Sequence, residues 1–245
     1  MERIEINSAS GVGWVTLTAP ERRNALDLET ASRLTEGVAA LELDPDVHAI
    51  VVTGSGSAFC AGADRSLLAS AEESALRAIY GSFLALRRSA LPTVAAVNGP
   101  AVGAGLNLAL ACDVRIAATS ARFESRFLQL PIHPGGGHTW MLNRAIGPSA
   151  AMAMCVFDQP VDGREAERIG LAWRCVEDTE LLTATEAFCS RLAHSPTPAL
   201  ARSIKQTLYS TSTGLDFDAA LDVELRKQVE SMATPHFTER IRGRR

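Results

Sequence analysis

The sequence predicts an α/β protein, because a buried strand, a glycine-rich loop and a helix follow one another twice along the chain. In the first copy, the apolar run "VHAIVVTG" at 47–54 precedes the loop "SGSAFCAGAD" at 55–64. In the second, "PTVAAVNG" at 92–99 precedes "PAVGAGLNLALACD" at 100–113. Of the 245 residues, 47% are hydrophobic and 21% charged, which is enough to bury a sizeable core in one large domain or in a domain with a subdomain.

The N-terminal region predicts a hairpin and then a helix. The segment "RIEINSASGVGWVTLTAP" at 3–20 alternates and breaks at Gly11 and Gly13, which is typical of two antiparallel strands. After the polar loop "PERRNALD" at 20–27, apolar residues recur at helical spacing, and "DPD" at 44–46 ends the helix. These apolar residues are Leu28, Ala31, Leu34, Val38 and Leu41.

In the rest of the chain, predicted helices and strands alternate at first, and the last third is predicted to be helical. We predict a mostly helical region from Arg65 to Ala90, a strand in "VRIAATSARFE" at 114–124, and a helix from about Trp140. Ser195 and Pro198 indicate a helix start, and Asp162 with Glu165 is typical of a helix cap and first turn. The last third carries two apolar helix faces: Leu200, Ile204 and Leu208, and Phe217, Leu221 and Leu225.

Charge and cysteine content exclude several classes of partner. The formal net charge is −4, whereas nucleic acids and anionic membranes require a positive surface. The five cysteines are dispersed and form no CxxC pair, which favours reduced thiols. The first residues lack the apolar core of a signal peptide, and no apolar run is long enough to span a bilayer. We therefore expect a cytoplasmic protein with no nucleic-acid or membrane partner.

The common motifs for cofactor and nucleophile chemistry are absent from the sequence. Neither glycine loop fits the dinucleotide, phosphate-loop or nucleophile-elbow patterns. His133 and His138 flank "PGGG", but no metal-ligand spacing accompanies them, so no metal site is predicted. We interpret His138 as a capping or surface histidine.

The two glycine loops leave two interpretations open. Each loop could direct backbone N–H groups at one point, and two converging donors stabilise a developing negative oxygen. Small residues would suit such an oxyanion hole because larger side chains would block the ligand. The same residues would also suit a helix packed closely on a sheet.

Several ordered motifs resemble the crotonase superfamily, the enoyl-CoA hydratase/isomerase proteins, over essentially the whole chain. They are "PERRNAL" at 20–26, "AFCAGAD" at 58–64, "NGPAVGAGLNLALACD" at 98–113, "PGGGHTWMLNRAIG" at 134–147 and "DGREAERIGLAWRCV" at 162–176. The resemblance implies a crotonase-like ββα superhelix, or spiral, over 1–190 and a helical C-terminal oligomerisation region over 191–245. It also implies a homotrimer, or a hexamer of paired trimers.

The resemblance implies a coenzyme A thioester as ligand, with no cofactor other than the coenzyme A of the substrate. The backbone N–H groups of Ala63 and Ala104 would hold the thioester oxygen; Ala104 stands where the family commonly has glycine. Two groups of residues would line the coenzyme A path, although the arginines among them could also belong to a solvated basic loop. The groups are Arg22, Arg23 and Ala25, and Asp64, Arg65 and Ser66.

Both glutamates of the hydratases are replaced under this alignment. One falls on Asn107 and the other on Phe127. Asparagine hydrogen-bonds but does not exchange a proton near neutral pH, and phenylalanine does neither. Glu124 and His133 are candidate replacements, against the alternatives of an exposed strand residue and a satisfied loop histidine.

Two hypotheses for the function follow from these replacements. In the first, the chain is an enzyme that stabilises an enolate of an acyl-CoA and catalyses isomerisation, hydrolysis or an unusual hydration; the family's usual activity is that of a lyase of fatty acid metabolism, enoyl-CoA hydratase, and is disfavoured here. In the second, the chain is a non-catalytic acyl-CoA-binding or carrier protein. A purely structural oligomer would leave the retained loops unexplained.

Overall fold

The computed structural model describes residues 3–70, 72–193, 195, 197–212 and 214–243. The strands are β1 (Ile4–Ala9), β2 (Val12–Leu17), β3 (Ala49–Gly54), β4 (Thr93–Val97), β5 (Pro100–Val102), β6 (Val114–Ala118), β7 (Arg122–Glu124), β8 (Val161–Asp162) and β9 (Arg174–Val176). The helices are α1 (Leu28–Leu43), α2 (Arg65–Ser70), α3 (Glu73–Arg88), α4 (Ala104–Ala111), α5 (His138–Cys155), α6 (Gly163–Arg168), α7 (Leu181–Ala193), α8 (Pro198–Thr211), α9 (Phe217–Met232) and α10 (Pro235–Arg242). The architecture is α/β, as predicted.

The larger sheet of the described chain has the strand order β1-β2-β3-β4-β6-β9. Its first two strands pair antiparallel, and all later neighbours pair parallel. β3 and β4 are buried along their whole length, in keeping with their unbroken apolar sequence. The predicted hairpin is present, but the turn is at Ser10 and Gly11, both with positive φ, and Gly13 lies inside β2.

A smaller sheet supports the second glycine loop. Within the described residues its order is β5-β7-β8, with β5 and β7 parallel. The sequence prediction differs here in two places. A turn was expected where Pro100–Val102 forms β5, and one strand was expected where β6 and β7 lie in different sheets. Strands of three residues are too short to leave a periodic signal.

The helices cover the sheets with the apolar residues that their spacing predicts. α1 begins at the cap residue Asp27, whose side chain accepts a hydrogen bond from the Thr30 amide. Its predicted apolar face is buried except for Leu28, which is half exposed. α4 is buried from Gly105 through Ala111, because it is apolar on almost every side.

One of the predicted helix starts moves by two residues, and two others are where the sequence predicts them. α5 begins at His138 rather than at Trp140, since Gly137 supplies the left-handed backbone before it. Pro198 is the first residue of α8 as predicted, with Thr197 at the cap position. The Asp162 side chain accepts from the Glu165 amide, which confirms that cap.

A buried polar cluster joins α8 to the core. Lys205 lies 2.7 Å from the Asp113 carboxylate and donates to the Leu91 carbonyl at 2.7 Å. The Tyr209 hydroxyl donates to the other Asp113 oxygen at 2.6 Å. Burial and the negative Asp113 raise the pKa of Tyr209, so this phenol stays a donor.

The last two helices expose their apolar faces. Within the described structure neither α9 nor α10 contains a buried residue, and Phe217 is 79% exposed. No helix in the described ranges is long and apolar enough to cross a bilayer.

Candidate functional site

The two predicted glycine loops lie side by side and are hydrogen-bonded to each other. Cys60 pairs in parallel with Ala101 of β5. The Cys60 amide donates to the Pro100 carbonyl at 3.1 Å, and the Val102 amide donates to the Cys60 carbonyl at 3.0 Å. This short ladder fixes the first loop against the start of the second.

Glycine is required where the loops are in closest contact. Gly62 and Gly103 have φ of +99° and +53°, which disfavour any side chain. A Cβ on Gly62 would lie 2.7 Å from the Val102 carbonyl oxygen and 3.6 Å from the Ala104 nitrogen. One on Gly105 would lie 2.0 Å from the Cys60 carbonyl oxygen. The glycines therefore allow the backbones that carry Ala63 and Ala104 to come together.

The amide N–H groups of Ala63 and Ala104 have no hydrogen-bond acceptor in the described part of the chain. Around Ala63, Leu26 donates to the Gly62 carbonyl and accepts from the Asp64 amide, both at 2.8 Å. This register leaves the Ala63 amide outside the ladder. Ala104 is the first residue of α4, where an amide has no partner within the helix and the helix dipole is positive. Both alanines are half-buried.

Asn107 lies one turn into α4, is almost fully buried, and has both ends of its side chain engaged. Its Nδ2 donates to the Gly135 carbonyl at 3.0 Å. Its Oδ1 lies 2.7 Å from His138 Nδ1. The asparagine therefore joins α4 to the glycine run that precedes α5.

His138 is 1% exposed and its ring bonds to side chains rather than capping a helix, so the interpretation as a capping or surface histidine is wrong. It is the first residue of α5, and its ring turns inward to Asn107 and to Ser125, whose Oγ lies 2.9 Å from Nε2. The sequence did not indicate that His138 contacts Asn107 and Ser125, because a histidine in a loop is usually exposed. The run of three glycines before it was the available signal, since Gly136 lies against Phe83 and Asn107 with no room for a side chain.

Phe127 lies beside the second loop. Its ring forms a T-shaped contact with the His138 ring, with the ring centroids 4.8 Å apart. A Cβ on Gly103 would lie 3.9 Å from its Cζ. The position aligned with the second hydratase glutamate therefore presents an apolar ring next to Ala104.

The two candidate proton-transfer groups lie in different surroundings. Glu124 ends β7, pairs with Val102, and is held by Arg126, whose Nε lies 2.5 Å from its carboxylate. Its carbonyl also accepts from the Gly103 amide at 2.9 Å. His133 is exposed, and its Nδ1 lies 2.8 Å from the neighbouring Pro134 carbonyl. Glu124 is thus adjacent to the loops, whereas no hydrogen bond or ion pair joins His133 to them within the described residues.

The predicted coenzyme A residues form a charged rim beside the first loop. Arg22 is bound by Asp64 and also by Asp27 at 2.8 Å. The Asp64 carboxylate accepts hydrogen bonds from the Ser66 hydroxyl and amide. These two bonds, together with the bond from Arg22, lower the pKa of Asp64 to about 2. Of the other rim residues, Ala25 is half-buried. Three are exposed: Arg23, Arg65 and Ser66. Asp64 binds Arg22 but neither Arg23 nor Arg65, so these two arginines present their positive charges to solvent.

Burial lowers the pKa of His138 to about 4, from an ordinary 6.5. Its partners in the described structure, Asn107, Ser125 and Phe127, are uncharged. The unfolded chain binds a proton here below about pH 6.5 and the folded chain only below about pH 4. Because the unfolded state then binds more protons, we expect the free energy of unfolding to fall by up to ~3 kcal/mol as the pH drops across that window. Urea unfolding at fixed protein concentration would measure it.

The control for this pH dependence is a matched pair of histidine variants. His138→Gln removes the titrating ring and should flatten the loss of stability between pH 6.5 and pH 4. His133→Gln, at the exposed histidine, should leave the wild-type profile unchanged. A wild type and a His138→Gln variant that lose stability in parallel would contradict the assignment.

Comparison with known proteins identifies the family and supports the architecture. The family model described as enoyl-CoA hydratase/isomerase matches residues 7–243. "Probable enoyl-CoA hydratase EchA14" of Mycobacterium tuberculosis is 45% identical over 240 residues, covering 94% of this chain and 92% of its own length. The chain belongs to the enoyl-CoA hydratase/isomerase family, the crotonase superfamily.

Solved structures show the same fold. Pseudomonas aeruginosa PA4980 superposes with a TM-score of 0.84 at 38% identity, covering 91% of this chain and 97% of that one. A Thermobifida fusca YX protein, solved in complex with acetoacetyl-CoA, has a TM-score of 0.85 at 30% identity, with 94% and 95% covered.

Proposed function

We propose that this chain binds an acyl-CoA and polarises its thioester carbonyl between the backbone N–H groups of Ala63 and Ala104. The observation that carries the proposal is the pair of unpartnered donors on two loops held together by hydrogen bonds. The relative from Thermobifida fusca, which holds acetoacetyl-CoA, supports the ligand class.

Two preorganised donors favour any step that places negative charge on the thioester oxygen. Removal of a proton from the α-carbon gives an enolate, and attack on the carbonyl carbon gives a tetrahedral anion; both carry that charge. The N-terminus of α4 adds a positive dipole at the Ala104 donor. Isomerisation and hydrolysis both fit such a site.

Calorimetric titration with acetyl-CoA, a long-chain acyl-CoA and benzoyl-CoA tests the proposal. We expect a dissociation constant on the order of micromolar for at least one of them, the usual range for metabolites. Free coenzyme A is the control, because the hole recognises the thioester carbonyl. If none of the three acyl-CoAs binds, the proposal is wrong.

A non-catalytic acyl-CoA carrier is the second candidate function. It is favoured by the neutral residues, Asn107 and Phe127, at the two positions where a hydratase has glutamates. Turnover distinguishes the two candidates, with Glu124→Gln and His133→Ala as separate probes. Loss of turnover with intact binding in Glu124→Gln would favour the enzyme, whereas binding without turnover of any thioester would favour the carrier.

We also propose that the C-terminal helices form the interface of a trimer or hexamer. The exposed apolar residues form faces that extend over α8 and α9: Ile204, Leu208, Phe217, Leu221, Leu225 and Val229. Large exposed apolar surfaces on a folded chain are typical of protein interfaces.

We expect light scattering at micromolar concentration to give the mass of three or six chains. Leu221→Glu with Leu225→Glu should shift the mass toward the monomer, since a charge buried without a partner is costly. Lys227→Glu, on the same helix, is the control for added negative charge. A monomeric wild type would contradict the proposal.

A further inference from the structure

Asn107, His138 and Ser125 form a hydrogen-bonded chain whose direction follows from its first member. Asn107 Nδ2 donates to the Gly135 carbonyl, so the Oδ1 that faces the imidazole is an acceptor. His138 Nδ1 must therefore carry the proton and donate to it. Nε2 is then the bare nitrogen, and the Ser125 hydroxyl donates to it across 2.9 Å.

This direction is the one that nucleophilic acyl transfer requires. A hydroxyl donates to a neutral imidazole, and an amide oxygen on the far side fixes the tautomer and the ring orientation. The lowered pKa of His138 means that its imidazole is unprotonated near pH 7, in keeping with the bare Nε2 that the hydrogen bonds assign. The same constellation occurs on unrelated folds, so it is recognised by its geometry.

The serine adjoins the proposed oxyanion hole. Ser125 directly follows β7, whose Glu124 carbonyl accepts from the Gly103 amide. A Cβ on Gly103 would lie 3.7 Å from the Ser125 carbonyl oxygen, so Ser125 packs on the residue that precedes Ala104. The backbone of Ser125 thus lies beside the residue that precedes the Ala104 donor.

We propose that Ser125 is the nucleophile of an acyl-CoA hydrolase reaction, with His138 as its base and Asn107 as the residue that orients His138. The inference rests on the proposed function, because it needs a thioester held at Ala63 and Ala104. The reaction is then thioester cleavage, and His138 transfers the protons instead of Glu124 or His133.

Each half of the reaction balances with water as the co-reactant. Ser125 Oγ bonds to the thioester carbonyl carbon while its proton passes to His138 Nε2 and the carbonyl electron pair moves to the oxygen. Collapse breaks the C–S bond, and coenzyme A leaves as the thiol with the proton from Nε2. Water then gives a proton to Nε2 as its oxygen attacks the ester carbon. The ester C–O bond breaks, Ser125 regains its proton, and the carboxylic acid leaves.

Access to the serine is part of the proposal. Ser125 is 3% exposed, and the half-buried Phe127 ring packs against the His138 ring. The acyl group must displace this ring to reach Oγ, after which the acyl chain would keep water from the site until coenzyme A has left. Cys155 Sγ lies 3.7 Å from Ser125 Oγ, but the imidazole contacts the serine.

The test is detection of an acyl-enzyme. Protein mixed with acetyl-CoA, butyryl-CoA or benzoyl-CoA is quenched in acid from milliseconds to minutes, and its intact mass and peptides are measured. We expect a mass increase of one acyl group that maps to Ser125. Ser125→Ala should bind the same acyl-CoA in calorimetry, form no adduct and cleave it about 10³-fold or more slowly.

Two further variants make the test specific. Ser82→Ala removes another fully buried serine, one that donates to the Ile79 carbonyl within α3, and should react like the wild type. Ser125→Cys should form an adduct that neutral hydroxylamine removes, because a thioester is more labile than an ester. If Ser125→Ala does not fold, the wild-type peptide map and Ser125→Cys still decide the question.

The outcomes separate this inference from the proposed function. An adduct on Cys155, no adduct on a wild type that binds or cleaves the thioester, or unchanged cleavage by Ser125→Ala would overturn the role of Ser125 and leave acyl-CoA binding intact. If none of the acyl-CoAs binds, the proposed function fails and the serine mechanism fails with it.

Discussion

We expect this chain to hydrate crotonyl-CoA at least about 10⁴-fold more slowly than a family member with glutamates at both aligned positions. General acid–base catalysis contributes roughly 10²- to 10⁴-fold for each proton transfer, and neither replacement can take part. Asn107 uses its donor on Gly135 and its acceptor on His138, so it has little capacity left to position water. Under the proposed alignment, Phe127 places an apolar ring where the second carboxylate would be.

Loss of the enoyl absorbance measures the hydration rate. Calorimetric binding of crotonyl-CoA in the same preparation is the control, because slow hydration is informative only if the substrate occupies the site. Glu124→Gln should not lower the residual rate, since its carboxylate is already held by Arg126. A turnover number near that of an ordinary hydratase would show that the second loop is wrongly aligned.

The sequence was sufficient for the parts of the fold that depend on local pattern. β3, β4 and α1 are long enough to show a buried run or a helical period, and all three are where the pattern predicts them. β5 and β7 have three residues each, and their existence depends on pairing with each other rather than on their own composition. Tertiary pairing of this kind leaves no trace in a short window.

The candidate site also has a part that the sequence predicts and a part that only the tertiary structure shows. The two glycine loops were identified from their sequence motifs. In the structure, Ala63 and Ala104 lie on adjacent backbones that are hydrogen-bonded to each other. The pairing of Ser125 with His138 joins residues 13 apart across a break in secondary structure. Neither residue type is unusual in a loop, so only the folded backbone shows that their side chains meet.

The small residues of 98–113 therefore have two roles that the sequence could not separate. Gly105 allows close packing, because a methyl group there would collide with the Cys60 carbonyl. Gly103 has a positive φ that begins α4 and leaves the next amide free. Close packing and an unpaired backbone donor thus occur at neighbouring residues of one segment, so the two interpretations do not compete.

We expect Ala104→Pro to keep the fold and to lower any turnover of an acyl-CoA by about 10²- to 10³-fold, the usual effect of removing one oxyanion donor. Ala104 is the first residue of α4, where proline is well tolerated because its amide has no partner within the helix. Gly103 has φ 53° and ψ −113°, outside the helical region that a following proline disfavours. The substitution therefore removes the N–H group with little disturbance of the backbone.

The matched control is Ala104→Gly, which keeps the N–H group and should retain nearly all of the wild-type activity and affinity. Circular dichroism and light scattering establish that both variants keep the fold and the oligomeric state. If the chain is a carrier, the same pair is compared by calorimetry, and Ala104→Pro should weaken acyl-CoA binding by about fivefold, since one hydrogen bond contributes about 1 kcal/mol. Free coenzyme A, which lacks the thioester carbonyl, should bind both variants equally. A folded Ala104→Pro protein that binds or processes acyl-CoA like the wild type would show that this amide does not hold the thioester oxygen.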